Sequence, residues 1–269
     1  MDLSGKTALV TGSVQGIGLA IAEALAGAGA RIAVHGLAGD AQIEEVCHHL
    51  RDRGAAQAEF FDGDLRNPDR IDGLMRAVSA WCEEGGPDIL VNNAGIQHTA
   101  PLSEMPREKW DAILAVNLSA AFQTMQAALP GMARRGYGRV INIASVHGLV
   151  ASKQKAPYVA AKFGLVGLSR VAALEYAASG EKAKGGVTVN CICPGWTATA
   201  IIEPQIEARA AAHGGDRDLG IADLLAEKQP SGRLSDPAEI GALALWLCAP
   251  VAHNVTGTAI PIDGGWTAQ

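Results

Sequence analysis

No run of about 18 apolar residues interrupts this 269-residue sequence, and a membrane-crossing helix needs one of roughly that length. No long basic run is present either, and the formal charge is −6. Nucleic-acid binding therefore has no electrostatic footprint. Cys47, Cys82, Cys191, Cys193 and Cys248 are odd in number and lack Cys-x-x-Cys spacing, which argues against a disulfide framework or a zinc site. No metal is expected, and a reducing cytoplasm is the simplest home. The opening Met1-Asp-Leu-Ser-Gly-Lys6 lacks a signal-peptide profile. Linker-rich boundaries, repeats and low-complexity tracts are also missing, so residues 1–269 are expected to form one domain.

What the chain does have is glycine, 32 residues of it, in a sequence 48% hydrophobic. Short apolar runs alternate with helical periodicity. Strands are predicted at 6–11, 31–35, 58–61, 88–91, 138–144, 187–193 and 259–263. Helices are predicted near 19–26, 40–53, 68–82, 109–134, from Tyr158 onward, and at 237–247. This order predicts an α/β protein with a doubly wound, seven-stranded parallel sheet and helices on both faces, the Rossmann arrangement. Residues 197–232 form a long excursion with weak helical patches, expected to be a mobile substrate lid. Residues 179–186 read as a polar loop. Cys191 and Cys193 share one sheet face and read as core.

Ligands of such sheets bind beyond the carboxyl ends of the strands. The first strand runs into Gly12-Ser-Val-Gln-Gly16-Ile-Gly18 and then a helix. Glycines let the backbone approach a pyrophosphate, and the helix start offers unpaired N–H groups. The other strand ends carry His35-Gly36-Leu37, Asp64-Leu65, Asn92-Asn93-Ala94-Gly95, Ser145 and Pro194-Gly195. Tyr158 and Lys162 are four apart and share a helix face. An ammonium near a phenol favours phenolate and is expected to lower the tyrosine pKa. Such a phenol exchanges protons with an alcohol or a carbonyl, and Ser145 is placed to hold the same oxygen.

Thr11-Gly12-x-x-x-Gly16-Ile-Gly18, Asn92-Asn-Ala-Gly95, Asn117, Ser145, Tyr158-x-x-x-Lys162 and Pro194-Gly195 together resemble the short-chain dehydrogenase/reductase family over nearly the whole chain. Further stretches are similar to the bacterial D-3-hydroxybutyrate dehydrogenases. These are Gly95-Ile-Gln97, Ser145-Val-His147, Lys155, Pro194-Gly-Trp196, Glu227-Lys-Gln-Pro-Ser231 and Asp263-Gly-Gly-Trp266.

The resemblance implies a catalytic set of Asn117, Ser145, Tyr158 and Lys162. Tyr158 would be the acid/base, Lys162 its modulator and a ribose ligand, Ser145 the holder of the reacting oxygen, and Asn117 the anchor of a proton-carrying water. The implied cofactor is NAD, touching Gly12, Ser13, Gln15, Gly16, Ile17, Gly18, Leu37, Asp64, Leu65, Asn92, Ala94, Gly95, Tyr158, Lys162, Pro194, Gly195, Trp196 and Thr197. NAD is favoured over NADP because neither residues 35–37 nor residues 13–16 carry a cation. Gln97, His147, Lys155 and Gln205 are expected to supply donors to a substrate carboxylate, with Trp196 and Trp266 as walls. The implied reaction interconverts (R)-3-hydroxybutyrate and acetoacetate. Another small hydroxy acid, keto acid or neutral alcohol stays open, as does a nucleotide-binding scaffold without turnover. Relatives imply a homotetramer, and the apolar segment 257–269 is expected to pack against a neighbour.

Overall fold

The computed structural model describes residues 1–180 and 185–268. Its centre is a single parallel sheet of β1 (Thr7–Val10), β2 (Arg31–Val34), β3 (Ala58–Phe60), β4 (Ile89–Asn92), β5 (Tyr137–Ile143), β6 (Gly186–Pro194) and β7 (Ala259–Ile262). The spatial order is β3-β2-β1-β4-β5-β6-β7. The inner strands β1, β2, β4, β5 and β6 are covered on both faces, which is why they read as apolar runs rather than as alternating patterns. Ala8 and Val10 point into one core with Ile32, Val34, Ile89 and Val91. Leu9 points into the other with Ala33, Leu90 and Val140. This is the two-residue period of a strand seen from its two sides.

The first core is closed by α1 (Gly16–Ala26), α2 (Asp40–Asp52) and α9 (Pro237–Cys248), the second by α3 (Pro68–Trp81), α5 (Ala120–Arg135) and α6 (Ala156–Tyr176). Local signals set several ends. Asn67 caps α3 by accepting from the Asp69 and Arg70 amides, with Pro68 at the first helical position. Asp236 and Glu239 form a reciprocal capping box on α9. Gly136 ends α5 in the left-handed conformation at φ 76°.

The structure departs from the sequence expectation in two places. The predicted helix over 109–134 is two helices, α4 (Arg107–Leu114) and α5, joined without a break by a π turn over Ala115–Ser119. Together they are long and apolar enough to cross a membrane by length and composition. Instead, Ala120, Ala121, Thr124, Met125, Ala128, Leu129 and Met132 are buried, and Thr124 bonds Asn92 of β4. The 197–232 excursion contains a helical hairpin, α7 (Glu203–Ala211) and α8 (Arg217–Lys228). Trp266, expected as a wall of the substrate pocket, is buried against His147 and Trp196. The loop read over 179–186 falls largely on residues 181–184, outside the described residues, as does Gln269.

Candidate active site

The chain order reverses direction between β1 and β4, and a crevice opens beyond their carboxyl ends, as this topology requires. A cleft of about 630 Å³ runs from Gly12 and Leu37 at one end to Trp196 and Trp266 at the other, a size suited to a cofactor-sized ligand.

At the first end the backbone does the shaping. Gly12 and Gly16 hold φ of +65° and +57°, where side chains are strained. A Cβ at Gly18 would lie 2.2 Å from the Gly12 carbonyl oxygen, so α1 meets the turn only through glycine. The N-cap Gln15 makes no side-chain bond to the first turn of α1. The helix thus begins with N–H groups unclaimed by a cap, which suits a phosphate. These features fit a dinucleotide.

Several predicted cofactor residues do line this cleft: Gly12, Gln15, Gly16, Ile17, Leu37, Asp64, Leu65, Ala94, Gly95, Tyr158, Lys162, Pro194, Gly195, Trp196 and Thr197. Three do not, and each has a structural task. Ser13 is fully buried, its N–H donating to the His35 carbonyl at 2.7 Å and its hydroxyl accepting from the His35 N–H at 3.1 Å. Gly18 supplies the close approach just described. Asn92 faces the core, donating to Asn142 Oδ1 at 2.8 Å and accepting from the Thr124 hydroxyl at 2.7 Å. The neighbour Asn93 reaches the cleft instead, with its amide donating to the Thr11 and Gly12 carbonyls at 2.9 and 3.1 Å.

Arg66 and Arg70 also line the cleft. The sequence search of the β2 turn and the glycine turn missed them because the turn after β3 brings them in. Arg66 is locked on Asp64 by two parallel bonds, Nε–Oδ1 at 2.9 Å and NH2–Oδ2 at 2.7 Å. Arg70 pairs with Asp62.

At the middle of the cleft, Ser145 ends β5, and Tyr158 and Lys162 stand one turn apart on α6. Lys162 is buried, its ammonium donating to the Ile143 carbonyl at 2.7 Å and lying 5.5 Å from the centre of the Tyr158 ring. Burial lowers the Lys162 pKa to about 8. The expected depression of the tyrosine is not seen. Burial pushes the Tyr158 phenol up to about 12, and the Ser145 hydroxyl opposes that shift. Desolvation outweighs the hydrogen bond from Ser145.

Asn117 does not line the cleft. It sits in the π turn, accepting from the Ile96 N–H and donating to the Ile96 carbonyl, both at 2.9 Å. Its amide is therefore occupied and holds the loop after β4. A Cβ on Gly95 would lie 3.6 Å from Asn117 Oδ1 and 3.8 Å from Lys162 Nζ, so Asn117 and Lys162 flank the same spot. π turns concentrate at functional sites, but composition does not reveal one.

The far end is built from stacked side chains. The Trp196 and Trp266 rings are 5.6 Å apart, and His147 meets Trp266 edge-on at 5.4 Å and Tyr158 at 6.1 Å. Lys155 lies 4.9 Å over Trp196. Burial, aided by Lys228, lowers the Lys155 pKa to about 8. Burial and Lys155 lower that of His147 to about 4. His147 Nδ1 meets the Val150 carbonyl at 3.3 Å, so that nitrogen carries the proton and neutral His147 presents Nε2 as an acceptor. This corrects its expected role as a donor. The Trp196 indole N–H is buried with no partner among the described residues.

Gln205 does not line the cleft. In the amide orientation that satisfies both ends, it accepts from Gln97 at 2.8 Å and donates to the Ile202 and Ile201 carbonyls at 3.0 and 3.1 Å. Gln97 is the one that faces the cavity.

Residues 6–210 match the family described as short chain dehydrogenase. The chain belongs to that family. It is therefore an oxidoreductase fold carrying a nicotinamide-cofactor cleft. It is 48% identical to the D-beta-hydroxybutyrate dehydrogenase of Cupriavidus necator, covering 99% of this chain and all of that one. It is 43% identical to the enzyme of the same name from Rhizobium meliloti, covering 98% and 99%. Among solved structures, L-sorbose reductase of Gluconobacter frateurii with NADPH and L-sorbose superposes with a TM-score of 0.89 at 30% identity, covering 100% and 99%.

Proposed function

We propose that this short-chain dehydrogenase interconverts (R)-3-hydroxybutyrate and acetoacetate with NAD. The observation that carries the reading is one buried ammonium, that of Lys155, lining the same cleft as Tyr158 and Ser145 beside the rings of His147, Trp196 and Trp266. Those are the groups a small carboxylate with a short apolar chain requires. The relatives named for D-beta-hydroxybutyrate support it.

When bound, the nicotinamide supplies hydride exchange with the substrate carbon. The chain supplies the rest. Tyr158 gives its phenolic proton to the carbonyl oxygen in reduction and takes it from the hydroxyl in oxidation. Ser145 holds the same oxygen, and Lys162 keeps a positive charge behind the phenol. Lys155 grips the carboxylate, with Gln97, Trp196 and Trp266 closing the far side. Asn117 fixes the loop at Gly95. The α7–α8 hairpin serves as the lid, its apolar side packed on Trp196 and Trp266 through Ile202, Ile206, Leu224 and Leu225.

The preference for NAD rests on charge. Leu37 is 91% exposed beside the cleft, and the guanidinium groups of Arg66 and Arg70 are each neutralised by an aspartate, so a 2′-phosphate gains little. The proposed assembly is a homotetramer, for which Phe163 and Leu174 on α6 and Trp246 on α9 offer exposed apolar surface. Five free cysteines fit a reducing cytoplasm.

Initial rates with each enantiomer of 3-hydroxybutyrate, using NAD⁺ and then NADP⁺, test the reading. The R enantiomer with NAD⁺ is expected to dominate. Equal rates with a neutral secondary alcohol would overturn the substrate, and faster rates with NADP⁺ the cofactor.

A further inference from the structure

The side chain just after β2 takes no part in the chemistry, yet its imidazole is held at both ring nitrogens. His35 is 4% exposed. Its Nδ1 accepts from the Gly12 N–H at 3.3 Å, and its Nε2 meets the Gly63 carbonyl at 2.8 Å. A carbonyl only accepts, so Nε2 carries a hydrogen. An amide N–H only donates, so Nδ1 carries none. Both bonds exist together in one state alone, the neutral ring protonated on Nε2. The backbone of His35 is tied to the same turn through Ser13.

We infer that His35 is a proton-sensitive latch on the cofactor-binding turn: its neutral ring joins Gly12 to Gly63, and protonation opens the Gly12 side. A second proton on Nδ1 would set two donors against each other at Gly12. Gly12 has little room to yield, since a Cβ there would already stand 3.0 Å from Ala94 Cα. The turn that meets the cofactor phosphates is then pushed or left unpaired, whereas the Gly63 bond survives. Gly63 lies between Asp62 and Asp64, so the ring joins the turn after β1 to the turn after β3, and both turns line the cleft.

The charged surroundings leave the ring to decide. From the turn after β3, Asp62 favours the charged ring, but Asp62 is paired with Arg70, and Asp64 with Arg66. The turn after β1 presents only Gly12 and Ser13. Burial dominates and holds the His35 pKa below 6.5. The sign follows: cofactor binding is at full strength above about 6.5 and weakens as pH falls through the pKa of the free protein, with a limiting slope of roughly tenfold per pH unit. The inference rests on a nicotinamide dinucleotide occupying the glycine-turn cleft.

Calorimetric titration of NAD⁺ into the full-length protein from pH 8 to pH 5 tests it. The native Kd is expected to be flat down to about 6.5 and then to rise. His35→Asn places an amide oxygen where Nδ1 stands and cannot titrate. It is expected to bind NAD⁺ within about threefold of native at pH 8 and to remain flat on acidification, because the acceptor for Gly12 is kept. His35→Gln moves the amide toward the Nε2 position and is expected to bind weakly at every pH. The cofactor-free protein, labelled with ¹⁵N in its histidines, is expected to show a bare Nδ1 and a protonated Nε2 for the signal lost in His35→Asn. A pH-dependent Kd that persists in His35→Asn would assign the effect to another group, His147 foremost, and overturn the latch. So would a native Kd that stays flat to pH 5, or the opposite tautomer. Failure to bind NAD⁺ or NADP⁺ even at pH 8 would overturn the cofactor reading and the latch with it.

Discussion

The two ends of the cleft are built by different means. At the nucleotide end, main chain meets main chain. Gly12, Gly16 and Gly18 set the shape, and the groups that hold it (Thr11, Ser13, His35, Asn93) bond to backbone atoms. At the substrate end, side chain meets side chain: two tryptophans, a histidine and a lysine stacked on one another, under a hairpin whose polar ties are exposed. Backbone contacts fix distances for any occupant sharing the same phosphates. Stacked side chains are replaced one at a time. The first end is thus suited to a constant ligand and the second to a variable one, which accords with relatives that share the fold and are named for different substrates.

Four substitutions probe that contrast. The largest effect is expected where the ends meet: Tyr158→Phe keeps the ring but removes the proton carrier, for a loss of about 10²–10⁴ in kcat. Steady-state rates alongside NAD⁺ titration check it, with Kd expected to stay near native. Next, Gly18→Ala drives a methyl into the Gly12 carbonyl, and overpacking of this kind costs about 1–3 kcal/mol. Cofactor affinity should fall by about tenfold or more, with a lowered Tm, while the ratio of efficiencies between substrates stays as it was. A changed ratio would mean the two ends are not separable.

Lys155→Met acts on the other end. KM for acetoacetate should rise by about tenfold, and the advantage over its methyl ester should shrink, since a charged hydrogen bond is worth about 1.5–3 kcal/mol. In the native enzyme the lysine is held near 8. It is charged below that pH, so KM for the acid should climb as pH rises through about 8 and should not do so in Lys155→Met. Smallest is Arg209→Ala, which removes the lid pairs to Asp223 at 3.1 Å and to Glu227. That side chain is 37% exposed, and surface pairs contribute about 0–1 kcal/mol. A Tm shift of a few degrees at most is expected, with NAD⁺ affinity unchanged.

The sheet was legible because each strand is a short apolar run between turn residues, and the catalytic positions because they lie a few residues apart within one element or at strand ends. Features that depend on the meeting of distant segments were not. Arg66 and Arg70 reach the cleft only because β3 lies two strands from β1. Asn92 and Asn93 look alike in sequence, but the strand's two-residue period sends one into the core and the other to the ligand. The Tyr158 pKa depended on how deeply the phenol is buried. The role of His147 depended on which ring nitrogen faces the Val150 carbonyl. Local spacing carries neither fact.

The π turn has a consequence for engineering. Its widened ring, closed by the Ala120 N–H on the Ala115 carbonyl, holds one residue more than an α-turn, so the helix beyond it keeps the phase of a chain one residue shorter. Length, rather than side-chain identity, is what turns Asn117 toward the Ile96 backbone. A substitution scan through Ala115–Ser119 would pass over this information. A scan of single-residue deletions would find it: the helix would close up and still present Thr124 and Met125 to the sheet, while the loop at Gly95 lost its clasp.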